Sequence, residues 1–363
     1  FGEGKVSFYG AEFGEGKVSF DGAKFGKGDV SFDEAEFGKG DVSFGGAEFG
    51  EGDVSFRGAE FGEGKVSFYG AKFGEGDVWL VNIDFRSTAI PAAGMAVAGN
   101  LYVKSHFPEA VNFSRLDVEG TASFSGSSFD KVPDFTDAKF DRPPEVAGMR
   151  VPRPKLKGCN SLAADPEDVA RFRKLKGWNS LAADSEDVAK FRKLKSMALA
   201  ANDHERDGEF FAGEMLAKRG TETTSFAGLL FNTLYWKISD FGQSFTLPLL
   251  WLFHTFLVFA ATNLLVISCL IAATRATISS YTQAIAFSIV LSLKNAVPLL
   301  GSLFRFAPAP EGHKGWFQEY YNTLKDDQAT VDLLISLGVV ESIAGGVLLF
   351  LFLLALRNRF RLR

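Results

Sequence analysis

FGEGKVSFYGAE, residues 1–12, is followed by FGEGKVSFDGAK (13–24) and FGKGDVSFDEAE (25–36), and seven such units fill residues 1–84. Phenylalanine recurs at 1, 8, 13, 20, 25, 32, 37, 44, 49, 56, 61, 68 and 73. Two positions before most of these stands Val (6, 18, 30, 42, 54, 66) or Ala (11, 23, 35, 47, 59, 71). A period of 12 does not suit one face of a helix. It suits a coil in which each unit supplies two inward edges and glycine-rich corners. One unit cannot bury its own phenylalanines, whereas stacked units can, so the expected core is a set of columns of Phe and small residues. The whole chain of 363 residues holds 38 Phe and 38 Gly, a repeat signature rather than a globular average.

VSFYG (6–10) and AEFGE (11–15) resemble the pentapeptide-repeat family, whose five-residue units centre on Phe or Leu with Ala or Val two positions earlier. The resemblance implies a right-handed quadrilateral β-helix with four corners in each coil of about 24 residues. The two extra residues per pair of units read as an enlarged corner. Beyond residue 84 the pattern is irregular, then returns at Phe113, Phe124, Phe129, Phe135 and Phe140, and FDRPPEV (140–146) reads as a terminating cap. Residues 1–146 are therefore expected to form a rod of roughly six coils, about 30 Å long at strand spacing.

Residues 1–84 carry 17 Asp and Glu against 8 Lys and Arg, while the C-terminus is basic, so the net charge of −5 hides an asymmetry. One repeat position alternates as Lys5, Lys17, Asp29, Asp41, Asp53, Lys65 and Asp77. GKGDVSF resembles half of a calcium β-roll motif, but the lysines and the period argue against a calcium roll. GEGK lacks the spacing and the Ser or Thr of a phosphate-binding loop. Some pentapeptide-repeat proteins mimic DNA and bind topoisomerases, and the acidic excess permits that. Acids and bases are interspersed, which favours a solvated outer face and no nucleic-acid partner.

Residues 147–224 read as a helical linker. KLKGCNSLAADPEDVARFR (155–173) is nearly repeated at 174–192, with a diverged copy at 193–211. Phe172, Phe191 and Phe210 align, as do Asp165, Asp184 and Asp203, each Asp a good N-cap, with Pro166 in a first turn. Short helices with apolar faces, docking on the rod or on each other, are expected. His204 with Asp203, Asp207 and Glu209 lacks a second histidine and the HExxH spacing, so no metal site is expected. SDFG (239–242) has no other kinase motif beside it. Cys159 and Cys269 suggest neither a disulfide nor zinc. No nucleophile–base set or cofactor loop is present, so neither a catalytic residue nor a cofactor is expected. No secretory signal is read at the N-terminus.

Residues 225–245 place apolar residues at 226, 229, 230, 234, 238, 241 and 245 with Tyr235 and Trp236, the pattern of an interfacial helix. NDHERDGEFFAGE (202–214) and SDFGQSFTLPLLW (239–251) resemble the membrane-linked branch of pentapeptide-repeat proteins. Residues 246–363 then form an α-helical transmembrane module. The first span, 247–273, has no charge, with His254 and Asn263 as polar members. The last, 333–356, has one, Glu341, and ends in Arg357, Arg359, Arg361 and Arg363, which belong on the cytoplasmic side. The run 281–300 between them carries Lys294, Asn295 and Pro298. An even number of crossings keeps both chain ends on one side, so 282–296 is expected to be a re-entrant helix ended by Pro298. Trp316, Phe317, Tyr320, Tyr321 and Leu324 read as an aromatic anchor at the outer interface.

Span, re-entrant helix and span together resemble the two-span pore-loop channel superfamily in architecture alone, since KNAVPLLG (294–301) stands where a TVGYG filter would be. The resemblance implies a homo-oligomer with four-fold symmetry. Glu341, Lys294, Asn295 and Pro298 would lie along an ion path, and Gly338, Ser342 and Gly346 would form a helix-packing seam. Three functions follow as expectations. The first is a candidate ion channel in the bacterial inner membrane, with rod and C-terminal tail cytoplasmic. The second is a non-conducting anchor embedded in lipid that displays the rod to a protein partner, with Lys294 pairing with Glu341 or a phosphate. The third is a DNA mimic.

Overall fold

The computed structural model describes residues 2–86, 89–154, 185–219, 221–223, 225–274, 278–296 and 328–359. The chain separates into two compact units, Phe1–Leu230 and Phe231–Arg363.

The first unit is built on a parallel β-solenoid. In the regular part, pairing joins residues 24 apart: Val6 with Val30, Glu12 with Glu36, and Val18 with Val42. Single bridges join Lys24 to Glu48 and Glu48 to Lys72. Each coil thus carries four pairing positions, separated by a tight turn at Tyr9–Gly10 or Asp21–Gly22 and a bend at Glu15–Gly16 or Lys27–Gly28. Gly10 and Gly22 take φ of 60° and 66°, which a Cβ would disfavour. The longest ladder has six strands. Beyond the regular repeat the coil shortens: Val78 pairs with Leu101, Leu101 with Ala122, and Asp117 with Lys139. FDRPPEV does not end the rod. Val146 and Met149 are fully buried, and bridges Ser123–Glu145 and Ser128–Arg150 continue the pairing.

The core is the set of columns that the repeat requires. Phe8, Phe32 and Phe56 stack at 4.8 Å, and Phe20, Phe44 and Phe68 at 5.1 and 5.2 Å. The two columns meet edge to face, as in Phe32–Phe44 at 5.2 Å. A third column runs Phe13, Phe37, Phe61, Phe85, Phe107, Phe129, and a fourth Phe25, Phe49, Phe73. Strand spacing sets the ring spacing, so flat stacking along a column follows from the ladder. The edge contacts across it are the geometry aromatic quadrupoles favour.

The alternating Asp position has a structural role. The Asp53 carboxylate accepts from the Asp77 N–H one coil on, at 2.8 Å, and Asp41 accepts from the Lys65 N–H at 2.9 Å. At other corners Asp21 and Asp33 accept from the N–H groups of Gly45 and Arg57, both at 2.8 Å. These side chains satisfy corner N–H groups that no strand pairs. Charges differ between ladders. Glu12, Glu36, Glu60 and Asp84 stand in register, with Arg86 bonded to Glu60 and Asp84. Lys24, Glu48 and Lys72 alternate in sign and pair at 3.1 and 3.6 Å.

Two helices, α1 (Ser185–Ala200) and α2 (His204–Ala217), close the end of the solenoid. Asp203 caps α2, accepting from the Arg206 N–H at 3.0 Å. Val188, Phe191, Leu194, Met197 and Phe210 belong to the same core as the rod. Arg206 donates to the Met149 carbonyl at 2.9 Å and Lys193 to that of Ala138 at 2.5 Å. The last coil would otherwise present bare strand edges, which the helices cover. Asp165, Pro166, Phe172 and Asp184 lie outside the described residues.

The helix pair is tied by Glu214, which is 2% exposed. It meets Lys195 and Lys218 at 2.6 Å each and Arg192 at 3.2 Å. Burial pushes its carboxyl up, but the hydrogen bonds and charges of Lys195 and Lys218 outweigh this and hold it below the ordinary glutamate range. A lowered folded value means that the stabilisation is present above the ordinary value of 4.5 and is lost as pH falls below it. Amide exchange in 185–217 is therefore expected to accelerate as pH falls through that range, after correction for intrinsic rates. Glu214→Gln should destabilise the cap by about 1.5–3 kcal/mol at neutral pH and flatten this dependence. A variant as pH-sensitive as the parent would refute the assignment.

The division between the units falls within α3 (Phe226–Ser239), which exposes Leu230, Phe231 and Leu234. SDFG ends this helix: Asp240, Phe241 and Gly242 all take positive φ, and the Gly242 N–H donates to the Ser239 carbonyl at 2.9 Å. Phe241 is buried edge-on to Tyr235 at 5.5 Å. The second unit holds α4 (Thr246–Thr274), α5 (Ile278–Ala296) and α6 (Gln328–Arg359), each packed on the other two. Within α4 and α6, Thr246–Cys269 and Gln328–Arg357 are long and apolar enough to cross a membrane.

Candidate functional site

The polar residues of the second unit gather where its three helices meet. Ile267 of α4, Ala284 and Phe287 of α5 and Leu334 of α6 share one small core. Further along, the Asn263 side-chain amide of α4 donates to Ser292 Oγ of α5 at 3.0 Å. Ser292 and Asn295 flank Glu341 of α6. Residue numbers thus fall along α4 as they rise along α5 and α6, so α4 runs antiparallel to both. Ser288, Ser292 and Asn295 recur at intervals of four and three, which places them on one side of α5.

Glycine sets how closely α5 and α6 approach. A Cβ on Gly345 would collide with the Ala296 carbonyl, and one on Gly338 would lie 2.8 Å from Asn295 Nδ2. Gly345 is also near the midpoint of α6 and of the apolar stretch 333–356. The described part of α5 therefore ends at mid-length of its neighbours. Both long helices continue past this level, α6 for 14 residues after Gly345, about 21 Å.

Glu341, Asn263 and Ser292 are fully buried and Ser288 is 1% exposed. Among the described residues neither oxygen of Glu341 has a well-formed hydrogen bond, although Ser292 and Asn295 stand within reach of its carboxylate, and Asn263 Oδ1 and Ser288 Oγ have no partner. An unmet buried polar atom costs about 1–3 kcal/mol, and an uncompensated buried carboxylate several more. Asn263 and Glu341 meet at Ser292, and Ser288 lies one turn before it along α5. Glu341 is its one charged residue among those described as buried.

Asn295 and Glu341, both expected along an ion path, are thus brought together. Pro298 and the Lys294 side chain lie outside the described residues, as do Trp316, Phe317, Tyr320, Tyr321 and Leu324. In the expected packing seam, Gly338 meets α5 and Ser342 is half-buried, whereas Gly346 has nothing within 4 Å. The close contact falls to Gly345 instead, because the packed side of α6 runs through 338, 341 and 345. His254 is exposed, edge-on to Trp251 of the same helix at 6.0 Å. Ser288, Ser292 and Gly345 were not singled out in the sequence. The serine spacing on an apolar helix was the signal available for the first two, while nothing local separates Gly345 from Gly346.

In the first unit a cavity of about 350 Å³ is lined by Arg150, Val151, Arg153, Phe191, Arg206, Glu209 and Phe210. Arg206 is paired with Glu209 there and Asp203 is occupied as the cap of α2. Among the described residues no group of three or more His, Cys, Asp or Glu is arranged to hold a metal.

The fold defines a class: a parallel β-solenoid followed by helices, two of them apolar enough to span a membrane. Comparison with protein-family models, curated proteins and solved structures finds no match to this chain.

Proposed function

We propose that the chain is a membrane-anchored pentapeptide-repeat protein with a channel-like module that assembles as a four-fold homo-oligomer and conducts ions. In this reading α4 and α6 cross the inner membrane and α5 dips to mid-depth as a re-entrant helix. The rod and the arginine tail share the cytoplasmic side. The observation that carries it is the antiparallel pair of α4 and α6, each holding a stretch long and apolar enough to cross a membrane, with the shorter α5 packed on both. The antiparallel course of α4 and α6 supports two crossings with both ends on one side. Four pairing positions per coil support the quadrilateral β-helix, and its right hand comes with the family resemblance. The exposed Phe253, Leu257, Leu265, Ile343, Val347 and Phe350 give the module an apolar exterior suited to lipid or to neighbouring copies. No catalysis is assigned.

A second reading, the non-conducting anchor that offers its rod to a protein partner, is favoured by one observation: Glu341 is enclosed within a single chain. The sign-alternating Lys24–Glu48–Lys72 ladder weighs against the DNA mimic. Purified full-length chain reconstituted in planar bilayers is expected to carry cation current, and native mass spectrometry to give a tetramer. A monomer without current at any voltage would sink the channel and leave the anchor.

A further inference from the structure

We propose that Glu341, Asn263, Ser288 and Ser292 form a binding site for one small monovalent cation of the sodium class, held within the helical unit of a single chain. This rests on reading 246–359 as a membrane module and is independent of conduction. Three elements contribute: Asn263 from α4, Ser288 and Ser292 from α5, and Glu341 from α6. Among the described residues the buried atoms there without a well-formed hydrogen bond are all oxygens: both of Glu341, within reach of Ser292 and Asn295, and Oδ1 of Asn263 and Oγ of Ser288. The Asn263 amide nitrogen is already spent on Ser292, which leaves its carbonyl oxygen to face a positive ligand.

Carboxylate, carbonyl and hydroxyl oxygens are the ligands of hard cations. One carboxylate balances one positive charge. A divalent ion would leave an uncompensated charge, since no other acidic side chain is described as buried in this unit. A proton on Glu341 would neutralise the carboxylate but leave Asn263 Oδ1 without a donor. A cation answers all four atoms together. Asn295, half-buried beside Glu341, follows Ser292 by about one turn of α5 and would bound the site on that side.

The test is carbodiimide labelling of the full-length chain in lipid vesicles, read by mass spectrometry. Dicyclohexylcarbodiimide modifies a protonated carboxyl in an apolar setting, and a bound cation excludes that proton. Glu341 is expected to be labelled in choline chloride and protected about tenfold by saturating sodium chloride. Ser288→Ala should weaken the protection without changing labelling in choline, and Lys294→Gln should change neither. Equal labelling in sodium, potassium and choline would overturn the proposal and leave Glu341 with a proton only. Protection by potassium alone would overturn the size class, and faster labelling in Lys294→Gln would make the lysine its counter-charge. A chain recovered in the soluble fraction would instead sink the membrane reading itself.

Discussion

Phe44→Ala is expected to destabilise the rod by about 3–5 kcal/mol. Phe44 is fully buried, stacked between Phe20 and Phe68 at 5.1 and 5.2 Å, with edge contacts to Phe32 and Phe56 at 5.2 Å. Its removal opens a cavity that the ladders above and below cannot collapse, because strand pairing fixes their spacing. Solenoid stability is a sum of nearest-neighbour terms, so the damage should be local. Hydrogen exchange on the full chain should show protection lost first in the coils holding Phe20, Phe44 and Phe68, ahead of the helix-capped end. A loss below about 1 kcal/mol would mean that the columns are not what holds the coils together.

Gly38→Ala should cost about as much, near 3 kcal/mol at the upper end of overpacking effects, for a different reason. A Cβ there would lie 2.6 Å from the Gly14 oxygen, 2.8 Å from its carbon and 2.9 Å from Glu15 Cα. All three are backbone atoms that cannot rotate away, so the coils would have to part. The same position one coil earlier has nothing within 4 Å, and Gly14→Ala in this chain should change stability by less than about 0.5 kcal/mol. Denaturation of both variants separates close approach from intrinsic glycine flexibility. Equal losses would assign the effect to flexibility.

The two results bear on why a chain with so extreme a composition folds to one register. Phenylalanine supplies burial, but it would tolerate a slip of one 12-residue unit, since nearly every unit has a Phe at each position. The pairing observed is 24 residues, two units to the coil: Lys24 meets Glu48 and Glu12 meets Glu36. The corner aspartates reinforce this by bonding N–H groups one full coil on.

Much of this was legible in the residues. The period of 12, the inward Phe with Val or Ala two before it, and glycine corners required a solenoid, because only stacking buries those rings. The aligned Phe191 and Phe210 and the Asp203 cap foretold helices that dock by one face. Two long apolar stretches were legible by length and charge alone. What only the tertiary structure decided is who meets whom across distances that no local pattern encodes. The corner aspartates accept from N–H groups one coil on. The helices seal the rod beyond Arg150, and α5 packs against Gly345 rather than Gly346. Glu341 joins Asn263, Ser288 and Ser292 in an enclosed cluster. Periodicity reports which side of an element is apolar, but the partner that side finds depends on contacts between residues far apart in the chain.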